Sequence, residues 1–440
     1  MMDKMISIWS DEVRLPEFCR LEGDIKVDVL IIGGGMAGLL CAHALQKAGV
    51  DYILVEADRI CKGVTKNTTA KITSQHGLIF DKMLGRFGVE RTKMYLEANE
   101  AALAEYRRIC ESIDCNFETR DSYVYSVNDS KKIEKELTAL DKVGYKAHWS
   151  DASQLPFPVA SAVRFGSQAQ FNPLKFAAGI AKNLRIYEQT KVLELVGNTA
   201  ICKGAVIRAK KIIVTTHFPF INKHGSYFLK LYQHRSYVVA LDGARDVGGM
   251  YVDENEKGLS FRNYGGILLL GGGDHRTGKS GGGWRELEEK SEKYYPGSRI
   301  LYRWATQDCM SLDSIPYIGQ YSKNTPTLFV ASGFNKWGMT TSMVAANLLC
   351  DLVREKNNDY APVFSPSRSL LRPQLAVNGF EAVTNLLRPT SPRCPHLGCA
   401  LKWNAEEKSW DCSCHGSRFA ADGKLLDNPS TDDLPEKSRK

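Results

Sequence analysis

No apolar run in these 440 residues approaches the ~20 needed to cross a bilayer. The richest stretch, Leu328 to Leu352, is interrupted by Asn335, Lys336 and Asn347. The segment Met1 to Gly23 is mixed and charged, without the apolar core of a secretory signal, so the cytoplasm is the expected compartment. Charge of one sign is not concentrated anywhere. The net charge of +8 is modest and the basic residues are scattered, which argues against a nucleic-acid partner. Framework spacing is missing from most of the cysteines: Cys19, Cys41, Cys61, Cys110, Cys115, Cys202, Cys309 and Cys350 read as reduced or buried thiols. With 43% hydrophobic residues, the chain has enough apolar mass for more than one core, so two or three domains are expected.

The remaining cysteines do follow a pattern. Cys394-Pro395-His396-Leu397-Gly398-Cys399 is followed by Cys412-Ser413-Cys414-His415-Gly416-Ser417. A [2Fe–2S] centre with two thiolates on one iron and two imidazoles on the other needs two loops, each giving one Cys and one His. Cys394 with His396 and Cys412 with His415 supply that set. A tetrahedral zinc site is the alternative, because two Cys and two His suit it as well. Beyond the four ligands, CPHLGC and CSCHGS resemble the loops of Rieske iron–sulfur proteins.

The Rieske resemblance implies a [2Fe–2S] cluster and a Cys399–Cys414 disulfide bridging its two loops. Such a bond is unusual in a reducing compartment unless the loops shield it. Ser417 matches a hydroxyl that donates to a bridging sulfide, but Phe419 stands where that family has tyrosine. Hydrogen bonds to cluster sulfurs favour the reduced state, so losing one lowers the potential. A redox titration is expected to give a value below the respiratory type, within the roughly −150 to +300 mV of Rieske centres.

Near the other end, Val27-Asp28-Val29-Leu30-Ile31-Ile32 precedes Gly33-Gly34-Gly35-Met36-Ala37-Gly38 and a helical pattern from Leu39 to Ala48. Strand, glycine turn and helix in that order form a dinucleotide fingerprint. Gly33 permits the tight turn, Gly35 lets backbone approach a pyrophosphate, and Gly38 lets helix and strand pack closely. Phosphate then sits on the helix N-terminus. The second strand, Tyr52-Ile53-Leu54-Val55, ends in Glu56, placed to bind ribose hydroxyls. The glycine runs at 271–273 and 281–283 lack a flanking strand and helix, so a second nucleotide site for NAD(P)H is not expected.

The residues after Glu56 decide between dinucleotides. Gly63-Val64-Thr65-Lys66-Asn67-Thr68-Thr69-Ala70-Lys71-Ile72-Thr73 resembles the segment that runs along the flavin in the D-amino-acid oxidase and glycine oxidase superfamily. Such a run offers amides, hydroxyls and a cation to a pyrophosphate and ribityl chain. The resemblance implies FAD, held at Gly33, Gly35, Gly38, Glu56, Thr65, Thr68 and Thr69, with Val192 meeting the adenine through its backbone. It extends to the strand around Ile212 to Val214, to Asp313-Ser314-Ile315-Pro316, and to Gly338-Met339-Thr340 opening a helix that lasts to about Val353. That helix would aim its positive end at the flavin N1–C2=O edge.

The expected architecture is α/β: an interrupted Rossmann-like FAD-binding domain (1–86, 149–219 and 306–353) with a mixed, mostly antiparallel substrate domain (87–148 and 220–305). A linker (354–373) and a minimal, all-β Rieske-type subdomain (374–440) follow. Arg91 to Ser112 reads as a helix with Tyr95, Ala98, Ala102, Leu103 and Tyr106 inward, and Gly271 to Gly273 as a flexible break after a strand. Arg235, Arg262 and Arg276 are candidate cations for a substrate carboxylate. Tyr237, Tyr264, His234 and His275 are candidates to shape the pocket or move protons, and Trp337 to stack near the flavin ring. For each of these the alternative is an ordinary core residue. The whole pattern resembles FAD-dependent oxidoreductases with a C-terminal Rieske domain. It implies a dehydrogenase that oxidises a small amine or amino-acid-like substrate and passes electrons through the cluster to an external acceptor. The alternative is an electron-transfer or redox-sensing protein that serves a protein partner and has no small-molecule substrate.

Overall fold

The computed structural model describes residues 3–221, 224–389 and 392–435. Two large sheets and one small sheet organise them. The first sheet runs in the order Tyr317–Gln320, Leu328–Ser332, Ala205–Val214, Ile25–Ile32, Tyr52–Val55, Ile186–Tyr187. The four pairings from Leu328–Ser332 to Ile186–Tyr187 are all parallel. Strand Ile25–Ile32 is buried along its last four residues, as a strand covered on both faces must be. Helix Met36–Lys47 packs on that sheet beside helix Gly338–Val353.

The second sheet has nine strands, in the order Arg299–Ser311, Leu231–Asp242, Ile267–Arg276, Ser260–Tyr264, Met250–Asp253, Glu118–Ser126, Ser161–Gln170, Lys71–Ile72, with His148–Ser150 on Ser161–Gln170. It is antiparallel except where Met250–Asp253 meets Glu118–Ser126. Strand Ser161–Gln170, expected with the nucleotide domain, belongs here because it hydrogen-bonds along Glu118–Ser126. The expected break at Gly271–Gly273 is instead continuous strand. A Cβ on Gly273 would lie 2.4 Å from the Gly283 carbonyl oxygen, so these glycines admit helix Gly283–Tyr294 onto the strand.

Helix Phe80–Cys110 starts earlier than its amphipathic pattern suggested and kinks at Gly88, where φ is 77°. Its N-terminus is capped from outside: Glu136 accepts from the amides of Phe80 and Asp81, both at 2.8 Å. All five expected inward residues are buried.

The segment expected as a linker is packed. Phe364 is buried, and Arg368 grips the buried Asp313 with two bonds of 2.8 Å while its guanidinium lies 3.9 Å over the Tyr317 ring. A buried carboxylate needs such a partner, and the chain past residue 353 provides it. Helix Pro373–Leu386 then leads into the expected all-β C-terminal sheet, a four-stranded meander (Leu401–Asn404, Ser409–Cys412, Arg418–Ala420, Leu425–Asp427). No helix among the described residues is long and apolar enough to cross a membrane.

Candidate functional site

One cavity of about 1010 Å³ lies between the two large sheets, and its wall is completed by the tail. At one end is the glycine turn. Gly33 adopts φ 111°, and a Cβ there would sit 2.8 Å from the Thr215 carbonyl oxygen. A Cβ on Gly38 would fall 1.9 Å from the Gly33 carbonyl oxygen, which excludes any larger residue. Gly35 differs: a Cβ there meets nothing closer than Thr65 Oγ1 at 3.5 Å, so its bareness leaves open the approach to the helix N-terminus. Thr65 Oγ1 accepts from the Met36 amide at 3.0 Å and ties the flavin-like segment to that helix.

Glu56 accepts from the amides of Gly34 (2.7 Å) and Asp58 (2.9 Å), which leaves part of its acceptor capacity for ribose hydroxyls. Burial raises its pKa against those bonds. Val192 lines the same end, next to Thr190 and Lys191. The segment Thr65 to Thr69 borders the cavity and is clamped from behind. Trp9 Nε1 donates to the Thr68 carbonyl (2.7 Å), Trp304 Nε1 to Asn67 (2.9 Å) and Arg262 to Thr69 (2.6 Å).

At the other end, helix Gly338–Val353 opens into the cavity with no side-chain cap and no acid in its first turn. Its start is locked by His76, which sequence reasoning missed although it stands three residues after the flavin-like segment. His76 Nε2 meets Thr340 Oγ1 at 2.9 Å and the Thr73 carbonyl at 2.8 Å, and Nδ1 meets Tyr95 Oη at 2.6 Å. Trp337 stacks on this imidazole with centroids 5.1 Å apart. Burial lowers the His76 pKa to about 3, so the ring is neutral. Met339 receives Tyr106 Oη on its carbonyl at 3.0 Å. Lys71 borders the cavity, and burial, followed by the nearby Arg262 charge, lowers its pKa to about 7.

The expected substrate residues divide. Tyr237 and Arg235 line the cavity, but Arg235 is taken: its Nε donates to Glu407 Oε1 at 2.9 Å, and its second nitrogen also reaches Glu407. Tyr237 Oη stands 3.0 Å from both Glu407 and His275. Tyr264 lies away from the cavity, donating to Glu12 (2.7 Å) and packing on Trp9, because it stands at the far end of its strand from Ser260, which lines the cavity. Arg262 serves the carbonyls of Thr69, Ala70 and Phe171. Arg276 donates to the carbonyls of Ser413 and Cys414 in the tail. His234 is held neutral, its pKa lowered to about 3 by burial. One charged group that faces the cavity was not foreseen: Lys336 is ion-paired with Asp274, and Asp308 lies beside it. No local sequence signal marks these three, since they come from different strands and a loop.

In the tail, the His396 and His415 rings approach at 5.0 Å between centroids, nearly perpendicular. His415 Nδ1 is buried without a hydrogen-bond partner, which suits a ligating nitrogen. Both cluster cysteines are buried. Sulfurs of Cys399, Cys412 and Cys414 lie within 4.8 Å of one another, and Cys399 and Cys414 are joined as a disulfide, which leaves Cys412 as the free sulfur of that group. Ser417 Oγ accepts from the Ser430 amide at 2.9 Å, and Phe419 is fully buried. The donor set fits a cluster ligated by Cys394, His396, Cys412 and His415. Changing Cys412 to Ser or His415 to Ala is expected to remove the iron and the Rieske electron paramagnetic resonance signal while FAD stays bound. Iron and flavin assays on the same preparation check this.

The second ligand loop is fastened to the cavity wall. Gln233 Nε2 donates to the His415 carbonyl (2.8 Å), and Gln307 Nε2 to the Gly416 carbonyl (2.8 Å). Gln233 Oε1 accepts from Gln307 (2.8 Å) and His217 (3.0 Å), and His217 borders the cavity. Ser413 Oγ donates to the Gly278 carbonyl at 2.9 Å.

Residues 28–352 match the family described as FAD dependent oxidoreductase, and residues 374–437 match the Rieske [2Fe-2S] domain. The chain is 33% identical to the Rieske 2Fe-2S iron-sulfur protein YhfW of Bacillus subtilis (strain 168), over 97% of this chain and 96% of that one. It is 24% identical to gamma-glutamylputrescine oxidoreductase of Escherichia coli (strain K12), over 77% of this chain and 86% of that one. Among solved structures, glycine oxidase from Geobacillus kaustophilus superposes with a TM-score of 0.66 at 19% identity, over 78% of this chain and 99% of that one. With the dinucleotide cradle, the paired cluster loops and these matches in agreement, the chain belongs to the FAD-dependent oxidoreductases and carries a C-terminal Rieske [2Fe–2S] domain.

Proposed function

We propose that the protein is a dehydrogenase for a small cationic amine, and that the electrons leave through the Rieske domain to an external acceptor. When bound, FAD takes up two electrons from a substrate and the [2Fe–2S] cluster passes electrons on singly. The observation that carries the reading is the shared wall: the cavity that cradles the dinucleotide is bordered by His217, which is linked through Gln233 to the main chain of the cluster ligand His415. Gln233 and Gln307 hold that loop in place, and the neutral His76 fixes the helix start at the opposite end. A cytoplasmic location accords with the eight cysteines outside the cluster loops, none of which forms a disulfide.

The amine is supported by the charge of the wall. Lys336 faces two carboxylates, Asp274 and Asp308, so the group carries one excess negative charge when both are ionised. The candidate for a substrate carboxylate, Arg235, is already neutralised by Glu407. The names glycine oxidase and gamma-glutamylputrescine oxidoreductase also denote proteins acting on nitrogen compounds.

Burial raises the Asp308 pKa to about 6. Below that value Asp308 is neutral and the wall group carries no excess charge, whereas above it the excess is −1. The KM for a protonated amine is therefore expected to fall as pH rises through about 6, and Asp308→Asn is expected to remove that step while leaving the change near pH 7 to which Lys71 contributes. The reading itself is tested by anaerobic mixing with a panel of amines and amino acids, following flavin bleaching by absorbance and the cluster by electron paramagnetic resonance. Bleaching followed by a cluster signal supports the dehydrogenase. If no compound bleaches the flavin while dithionite still reduces the cluster, the partner-serving relay takes its place. The intrusion of the tail residue Glu407 onto Arg235 is the feature that favours that second reading.

A further inference from the structure

Helix Pro373–Leu386 is amphipathic in the reverse sense. Gln374, Asn378, Glu381 and Asn385 form one stripe, and that stripe faces the protein. Asn378 and Asn385 are buried. Asn378 Oδ1 accepts from Arg276 at 2.9 Å, and Glu381 pairs with Lys279 at 2.7 Å. The opposite face presents Val377, Phe380, Val383 and Leu387, exposed by 49, 68, 55 and 77%. A surface helix ordinarily buries its apolar stripe. A contiguous exposed apolar patch rimmed by polar residues marks an interaction site.

Two features specify the occupant. The first is continuity with the cluster. Arg393 donates to the carbonyls of Leu386 and Gly398, both at 3.0 Å, and so ties the helix end to the first ligand loop. Leu397, next to the ligand His396, is 43% exposed and extends the patch onto that loop. The second is charge. Arg388, Arg393 and Lys402 meet no carboxylate within ion-pair distance among the described residues, and the helix's own acid, Glu381, is taken by Lys279. Lys402 lies close enough to Arg388 and Lys279 to be repelled by both, and Glu381, already paired with Lys279, attracts it in part. A second copy of this chain would bring two cationic rims together, and a lipid surface has no need of the cluster loop.

We propose that this face docks an acidic one-electron carrier protein. The proposal rests on the reading that electrons leave through the cluster. In each encounter the reduced cluster returns to its all-ferric state and the carrier's metal gains that one electron, with no proton or bond transferred.

The test uses the full iron-loaded protein, reduced with dithionite that is then removed, so its outcome does not depend on any amine being a substrate. Native cytochrome c, which is cationic, and its fully succinylated form, which is anionic, serve as probes of opposite charge. The succinylated form is expected to bind, by surface plasmon resonance, and to be reduced about tenfold or more faster than the native form at low ionic strength. That preference is expected to vanish in high salt. The double variant Phe380→Ser, Leu387→Ser is expected to weaken binding about tenfold, with ferricyanide reduction, iron content and thermal midpoint unchanged.

The proposal is overturned if the succinylated form gains no preference, or if the double variant binds it as well as the parent does. If ferricyanide reoxidises the cluster but neither protein does, docking fails while exit through the cluster stands. Binding to phosphatidylglycerol vesicles, or a dimer in sedimentation, that is lost in the double variant while carrier reduction persists assigns the face to a membrane or to a second copy and overturns the carrier.

Discussion

Replacing Arg418 with methionine is expected to release the C-terminal sheet from the body of the protein and to strip its iron, leaving the FAD-binding cavity folded. Arg418 is almost wholly buried and serves three carboxylates: Asp411 at 3.0 Å, Asp427 at 2.9 Å and Glu407 at 2.8 Å. Glu407 in turn reaches Arg235 of the second sheet. Removing the cation leaves buried negative charges facing one another, a loss on the order of 3–5 kcal/mol. That is comparable to what a core this small supplies, since its buried apolar members beside the four cysteines are Leu401, Phe419 and Leu434. Limited proteolysis between residues 354 and 400, with iron and flavin contents measured in parallel, checks the result.

Arg235→Met makes the companion measurement. The tail is expected to keep its iron but to dock less tightly, because that variant removes one charged anchor on the body and leaves the network within the tail and the amide contacts of Gln233 and Gln307. The pH dependence has a definite sign. The adjacent Arg235 and Arg418 charges outweigh burial and hold the Glu407 pKa below its ordinary value of 4.5. A carboxylate with a depressed folded-state pKa contributes stability that is full above the unfolded value and is lost as pH falls through the folded one. Docking is therefore expected to persist from neutral pH down to about 4.5 and to fail only in stronger acid.

Gly38→Ala is expected to abolish FAD binding. A Cβ at that position would lie 1.9 Å from the Gly33 carbonyl oxygen and 3.0 Å from Thr215 Oγ1, so the turn must open for the helix to remain. The turn has no slack, because Gly33 is itself pressed against the Thr215 carbonyl. Gly35→Ala is the informative control. Its methyl group meets only Thr65 Oγ1 at 3.5 Å, so the fold is expected to survive while the approach to the helix N-terminus is blocked. A rise in Kd of about 100-fold, near 2.7 kcal/mol, is expected for Gly35→Ala, with no measurable binding for Gly38→Ala. Flavin fluorescence titration of the apoprotein gives both values, and circular dichroism separates lost affinity from lost fold.

The glycine turn and the cluster loops were legible because each is built within a short stretch of chain. A strand, a tight turn and a helix must follow one another to present amides to a phosphate, so Gly33, Gly35 and Gly38 announce the site when read with the strand before them and the helix after. Helices were legible for the same reason, although Phe80–Cys110 extends beyond its amphipathic part because Glu136, 56 residues from Phe80, caps its start. Residues 161–170, grouped with the nucleotide domain by position in the chain, pair instead in the second sheet, because strand neighbours are set by long-range pairing. The linker reading failed at Arg368: charge and proline suggest solvent, and nothing local reveals that Asp313 waits buried for a cation.

The sequence by itself determined which groups this protein can hold, since the ligands of the cluster and the turn for the dinucleotide are short-range patterns with a direct chemical meaning. Tertiary structure alone decided what those groups face. Arg235 and Glu407 are 172 residues apart, Gln233 and His415 182, and Thr340 and His76 264. Each contact was fixed by the packing of whole sheets, in which burying apolar area sets the positions and buried charges and amides then pair with whatever the packing brings within reach. The same packing turned a helix with polar residues on one face and apolar residues on the other so that its polar face is buried. Its sequence shows two faces, and only the fold shows which of them meets solvent.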